Sequence, residues 1–213
     1  MKKITYVSFL LLMTFLLIGC NKSLPRAERI IGLMQEEMTT LVAQLNELQT
    51  LEDELQQDFE KTLNEDDSLE LFSDSNSRVQ QNVYLRKGTI KQLQQSLDTI
   101  LSLESELLAL KNKRSIPENV LDAIHQEVNE MDEAMALFLS DYMNNLELEE
   151  KTFSSLASPE SNFESFFKVI EDINILSTTN QINLDQAITH FEPLNTTLVN
   201  AKVELIHSLE SSR

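Results

Sequence analysis

Apolar residues recur at alternating three- and four-residue intervals through most of this chain, and that spacing predicts helices. From about Arg26 to Leu63 the stripe reads Ile31, Met34, Met38, Leu41, Leu45, Leu48, Leu55, Phe59 and Thr62, widened by Leu51 and Leu63. Glu52 is its one charged intrusion and reads as a register device or a flank residue rather than a catalyst. Acidic and small polar residues break the pattern from Asn64 to Ser77, where Leu69, Leu71 and Phe72 suggest a short turn tucked against the bundle. A second helix is expected from about Arg78 to Lys113, on Val83, Ile90, Leu93, Leu97, Ile100 and Leu107, with Leu103 and Leu110 alongside. Lys111, Lys113 and Arg114 close it, as cations favour a helix C-terminus. The third opens at Pro117-Glu118 and follows Leu121, Ile124, Val128, Met131, Met135, Phe138 and Tyr142, continuing through Leu139, Leu146 and Phe153 to near Leu156.

Ser158-Pro159-Glu160 predicts the start of a fourth helix, with a capping serine and a proline at the first position. Phe163, Phe166, Phe167, Ile170 and Ile173 are assigned to its core face. A polar band follows, Asn174, Ser177, Asn180 and Gln181, on or beside that face. It reads first as a wet layer or the exposed side of a bent helix, and second as a groove for a polar ligand or a partner chain. The stripe resumes at Leu184, Ile188, Phe191, Leu198, Leu205 and Leu209, and Glu192-Pro193 predicts a kink. No stretch alternates as a strand does. The expected fold is all-α: an elongated antiparallel bundle of about four helices over residues 26–213, the fourth kinked. Each helix would be roughly 50 Å long at 1.5 Å per residue.

The first residues follow a different logic. Lys2 and Lys3 precede a largely apolar run from Tyr6 to Ile18, which ends at Gly19-Cys20. This is the layout of a secretory signal peptide, and the run is short for a bilayer span of ~20 residues. Leu17-Ile18-Gly19-Cys20 resembles a lipobox. The resemblance implies cleavage after residue 19, a diacylglycerol on the Cys20 sulfur, and a lipidated tether over 20–25. Cys20 is the only cysteine, so no internal disulfide is possible, and lipidation gives the lone thiol a purpose. A cleaved signal with a chance cysteine and an uncleaved membrane anchor are the alternatives. Two acyl chains suffice for stable anchoring, at ~0.8 kcal/mol per buried CH₂. The mature chain would then sit on the outer face of the cell membrane without spanning it.

Charge narrows the partners. The formal charge is −18, and loss of Lys2 and Lys3 takes it to about −20. Such a surface disfavours nucleic acid and anionic headgroups, both of which need Lys and Arg. Only Gly32 and Gly88 remain after Gly19, so Gly-rich phosphate loops and nucleophile elbows are missing.

Candidate chemistry is sparse. Glu204-x-x-His207 has the spacing of di-iron bundles and Asp122-x-x-His125 is a weaker analogue, but both pairs fall beside the core stripes and read as solvent-facing. Glu52 and Glu104 are the only further carboxylates on the stripes of the first two helices. Ser165-x-x-Lys168 matches the Ser-x-x-Lys of penicillin-binding enzymes without its companion motifs. His190 reads as a surface residue. Met34, Met38, Met131, Met135 and Met143 read as core filler. No catalytic residue, metal ligand or cofactor beyond the lipid is assigned.

Several stretches together resemble the YkyA-type cell-wall-binding lipoproteins of low-GC Gram-positive bacteria. They are the run Leu51 to Phe59, the helix-two entry Arg78 to Arg86, and Met135 to Leu156 with Tyr142, Glu149 and Phe153, followed by Ser158-Pro159. The resemblance implies a lipid-anchored, all-helical, extracytoplasmic protein associated with the wall or with an envelope protein. A hydrolase label attached to that group makes an envelope hydrolase the alternative to binding without catalysis. A small-ligand or metal-binding four-helix protein is the second alternative.

Overall fold

The structure, a computed structural model, describes residues 23–65, 69–111 and 116–211. The signal at 1–19 with Leu17, Ile18 and Gly19, the lipidation residue Cys20, and Lys113 and Arg114 lie outside the described residues. About 90% of the structure is helical and the described residues contain no strand. In order come α1 (Ser23–Glu65), a 3-10 turn (Leu69–Ser73), α2 (Arg78–Leu108), α3 (Glu118–Ser155), α4 (Phe163–Ile188) and α5 (Phe191–Ser211). Helices α4 and α5 are two arms of one rod bent by 22°, so the expected four-helix architecture with a bent last helix is present.

The bend follows from Pro193. Its missing N–H leaves the Thr189 carbonyl without its usual partner four residues on. The backbone loosens around that orphan: Thr189 N to Gln186 O and His190 N to Ala187 O are both stretched to 3.4 Å. The helix therefore breaks at Thr189 and His190, one turn ahead of the proline itself.

Helix ends depart from expectation in three places. Helix α1 begins at Ser23, so Ser23, Leu24 and Pro25 belong to the rod and not to a tether. Pro25 is tolerated in the first turn, where its absent N–H would be unbonded anyway, and Leu24 is buried. Helix α2 ends at Leu108 and is followed by turn bonds, from Leu110 N to Leu107 O and Lys111 N to Leu108 O. Helix α4 starts at Phe163, not at Ser158-Pro159-Glu160. Its cap is Asn162, whose side chain accepts from Glu164 N and Ser165 N, while Ser165 Oγ accepts from Asn162 N. That reciprocal box satisfies more orphan donors than Ser158 can, and Ser158 is left bonding Glu160 N at 3.3 Å in the preceding turn.

Packing is antiparallel and uneven. Helix α1 pairs along its length with α2, and α2 with α3; α5 rests on both α1 and α3. Helix α4, by contrast, packs chiefly on α3. At one end of the bundle Arg26 bonds Glu106 at 2.7 Å, joining the start of α1 to the end of α2. At the other end Phe72 inserts from the 3-10 turn, as expected, with its ring 4.9 Å from that of Phe59. Phe153 and Phe166 complete this aromatic cluster. Among the described residues the core is one cluster running from Leu24 to Leu205. No helix among the described residues is long and apolar enough to cross a membrane.

Candidate binding groove and the polar layer behind it

Two carboxylates and a guanidinium occupy places on the helix stripes that an apolar side chain would normally fill. Arg86 continues the series Val79, Val83, Ile90, Leu93 on α2, and Glu149 continues Phe138, Tyr142, Leu146, Phe153 on α3. Antiparallel pairing brings them together, at 1% and 2% exposure. The guanidinium donates both its terminal nitrogens to the Glu149 carboxylate in a two-pronged ion pair. Its Nε donates to Asn82 Oδ1 at 2.8 Å, and Asn82 Nδ2 in turn donates to Leu51 O at 2.8 Å and Asp58 Oδ2 at 3.1 Å. Burial works against the guanidinium charge, but the adjacent Glu149 outweighs it and holds Arg86 firmly protonated.

Glu52 of α1 and Asn180 of α4 extend this layer across all four helices. Asn145 Nδ2 donates to Asn180 Oδ1 at 2.7 Å, and Asn180 Nδ2 reaches Glu52 Oε1 at 3.4 Å. Tyr142 is buried beside them. Its hydroxyl lies close enough to Glu52 and Arg86 to act on both charges, although not at the geometry of a full hydrogen bond to either. Burial lifts the Glu52 carboxyl above its ordinary range; Tyr142, Arg86 and Asn180 oppose the rise without cancelling it.

Below this layer α1 and α4 stand apart. They meet at Phe59 and Phe166, whose ring centroids are 5.7 Å apart, and again at Glu52 and Asn180. Between those contacts lies an open cavity of about 480 Å³. Leu55, Phe59, Phe153, Val169 and Ile173 give it an apolar floor; Glu52, Gln56, Glu60, Asn174 and Ser177 edge it. Its outer lip is apolar as well. Phe163 is 78% exposed and Phe167 53%, their rings stacked edge to face at 4.5 Å, with Ile170 next to them.

That lip corrects a sequence expectation. Spacing puts Phe163, Phe167 and Ile170 on the core face, but the buried face of α4 runs through Val169, Asn180, Leu184 and Ala187. Because α4 has α3 as its main neighbour, only one side of it is covered. The polar band is divided correspondingly: Asn174 and Ser177 line the cavity, Asn180 closes its end, and Gln181 turns away to bond Asp185 at 2.9 Å.

The chemical motifs are not assembled into sites. Asp122 pairs with Lys111 at 2.8 Å, while His125 Nδ1 meets the buried Glu104 at 2.5 Å. Glu204 and His207 are exposed on α5. No group of three or more potential metal ligands occurs among the described residues. Ser165 is committed to the α4 cap and Lys168 to Asp172, at 3.1 Å. His190 sits at the bend, 3.9 Å from Glu130. The stripe positions of Arg86 and Glu149 are readable one helix at a time, but their ion pair appears only once α2 and α3 are set side by side.

Comparison with family models, curated proteins and solved structures gives no match for this chain.

Glu52 offers a clean pH test. A carboxyl whose folded pKa lies above its unfolded value favours folding while protonated. That contribution is complete below the unfolded value and is lost as pH rises through the folded one. Glu52→Gln should therefore raise the melting temperature relative to wild type at pH 7, with the two melts converging near pH 4. A variant less stable than wild type at pH 7 would mean that the ionised carboxylate is favourably paired.

Proposed function

We propose that this protein is a lipid-anchored envelope protein that binds a partner in the groove between α1 and α4, without catalysis. The carrying observation is the groove itself: an apolar floor left open between two helices, continued through Ile170 onto an exposed face of α4 that bears Phe167 and Phe163. Soluble proteins rarely leave such rings bare and contiguous unless something covers them. The anchor is supported by the lipobox-like Leu17 to Cys20 and by the absence of any other cysteine in the sequence. The resemblance to wall-binding lipoproteins agrees with this address. With a mature charge of about −20 against anionic wall polymers, attachment would come from a specific contact rather than from general electrostatics.

The test is in intact cells. A photoreactive phenylalanine analogue replaces Phe167, or Lys91 on the exposed side of α2 as the control. Position 167 should give one discrete crosslinked species and position 91 none. Cys20→Ala should leave the chain as an unprocessed precursor or release it, and remove the species with it. Equal crosslinking from both positions would sink the groove, and a processed, membrane-retained Cys20→Ala protein would sink the anchor.

A further inference from the structure

The chemistry of the groove says what kind of partner it takes. Every charged residue that lines the cavity or the adjoining lip is acidic: Glu52, Glu60 and Glu171. Glu52 is at the closed end, partly buried, bonded by Asn180 at 3.4 Å and flanked on its inner side by Tyr142 and Arg86, with its outer side open to the trough. A half-desolvated carboxylate at the end of an apolar trough is a seat for a cation carried on an apolar body. The lining runs from Glu52 to Glu60 on α1 and from Val169 to Ser177 on α4, about 12 Å along each at 1.5 Å per residue, which is room for about two turns of a helix reading anchors at three- and four-residue spacing.

We infer that the α1/α4 groove seats a basic amphipathic helix of a partner protein, its apolar face covering Phe163, Phe167 and Ile173 and one lysine or arginine reaching Glu52. This rests on the groove being the binding site and names its ligand class. Two other occupants fit less well. A second copy of the chain would bring another strongly acidic surface against acidic edges. An acyl chain fits less well because the cavity is edged by charged and polar side chains, Glu52, Gln56, Glu60, Asn174 and Ser177.

The experiment uses the chain from residue 21, which contains every core residue of the described structure, and a fluorescent peptide with leucine and lysine in a helical heptad pattern. A peptide of identical composition, scrambled to abolish the apolar face, controls for charge. Anisotropy should show the patterned peptide binding at least tenfold tighter than the scrambled one. Glu52→Gln and the double variant Phe163→Ser/Phe167→Ser should each remove most of that difference. Both sites tolerate change, since the first relieves a buried charge and the second lies in solvent. The inference fails if pattern makes no difference, or if Glu52→Gln binds like wild type. It also fails if sedimentation shows a dimer that the Phe163→Ser/Phe167→Ser variant dissolves, or if a fatty acid displaces the peptide. Where the peptide fails but position 167 still crosslinks in cells, the groove stands as a binding site and only the basic-helix assignment falls.

Discussion

Arg86→Ala and Glu149→Ala should each destabilise the bundle by about 3–5 kcal/mol, because each strands the other charge in the core. Both side chains are almost wholly excluded from solvent, so neither can relax into water. The Arg86 change also frees Asn82 Oδ1, which now accepts from Nε. Replacing both together is a different matter. Arg86→Met with Glu149→Leu removes two desolvation penalties at once and should be neutral or stabilising. Urea unfolding of wild type, the two alanine variants and their Arg86→Ala/Glu149→Ala combination measures the coupling as a double-mutant cycle, and the Met/Leu pair is measured beside them. A single variant that loses less than about 1 kcal/mol would mean that water or rearrangement reaches the pair.

Leu97→Asp should leave the protein largely unfolded at neutral pH. Leu97 is fully buried in the middle of α2, on the face shared with α1 and α3. A carboxylate there meets no cation of its own, and an unpaired ionised group in such a site costs far more than a hydrogen bond can return. A domain of this kind holds only about 5–15 kcal/mol in reserve. Leu97→Met, close in volume, should cost less than about 1.5 kcal/mol. Far-UV circular dichroism and thermal melting separate the two directly. Acid should partly rescue Leu97→Asp, since a protonated carboxyl is much cheaper to bury. A cooperative melt near the wild-type temperature at pH 7 would show that position 97 has access to solvent.

Position 97 was readable because periodicity reports burial wherever a helix has neighbours on a whole face. The same reading placed Ile31, Met34 and Leu41 on α1 and Val128, Met131 and Met135 on α3, all of them buried. It failed on α4 for a tertiary reason. Phe163, Phe167 and Ile170 carry the right spacing, but whether a stripe is covered depends on how many helices reach it, and here the main neighbour is α3 alone. The Asn162 cap was missed because Ser158-Pro159-Glu160 is the stronger local signal; the reciprocal bonds of Asn162 and Ser165 decide the start only once the chain has turned. The polar layer was half legible. Glu52 stood out as an intrusion, whereas the pairing of Arg86 with Glu149 needs the relative register of two helices, which one sequence does not contain.

The one-sided support of α4 has an energetic consequence. Only Val169, Asn180, Leu184 and Ala187 of its residues are fully buried, against a dozen along α1. At roughly 1.5–3 kcal/mol per large apolar side chain withdrawn from water, detaching this arm asks much less than unfolding the whole. Its boundaries are already loosened, by the turn from Ser158 to Asn162 on one side and the stretched bonds at Thr189 and His190 on the other. This arm should therefore open as a unit below the global unfolding free energy, with amide protons of α4 exchanging ahead of those of α1 and α2 in a hydrogen-exchange experiment. Anything seated against α4 closes that gap by mass action and slows exchange there first.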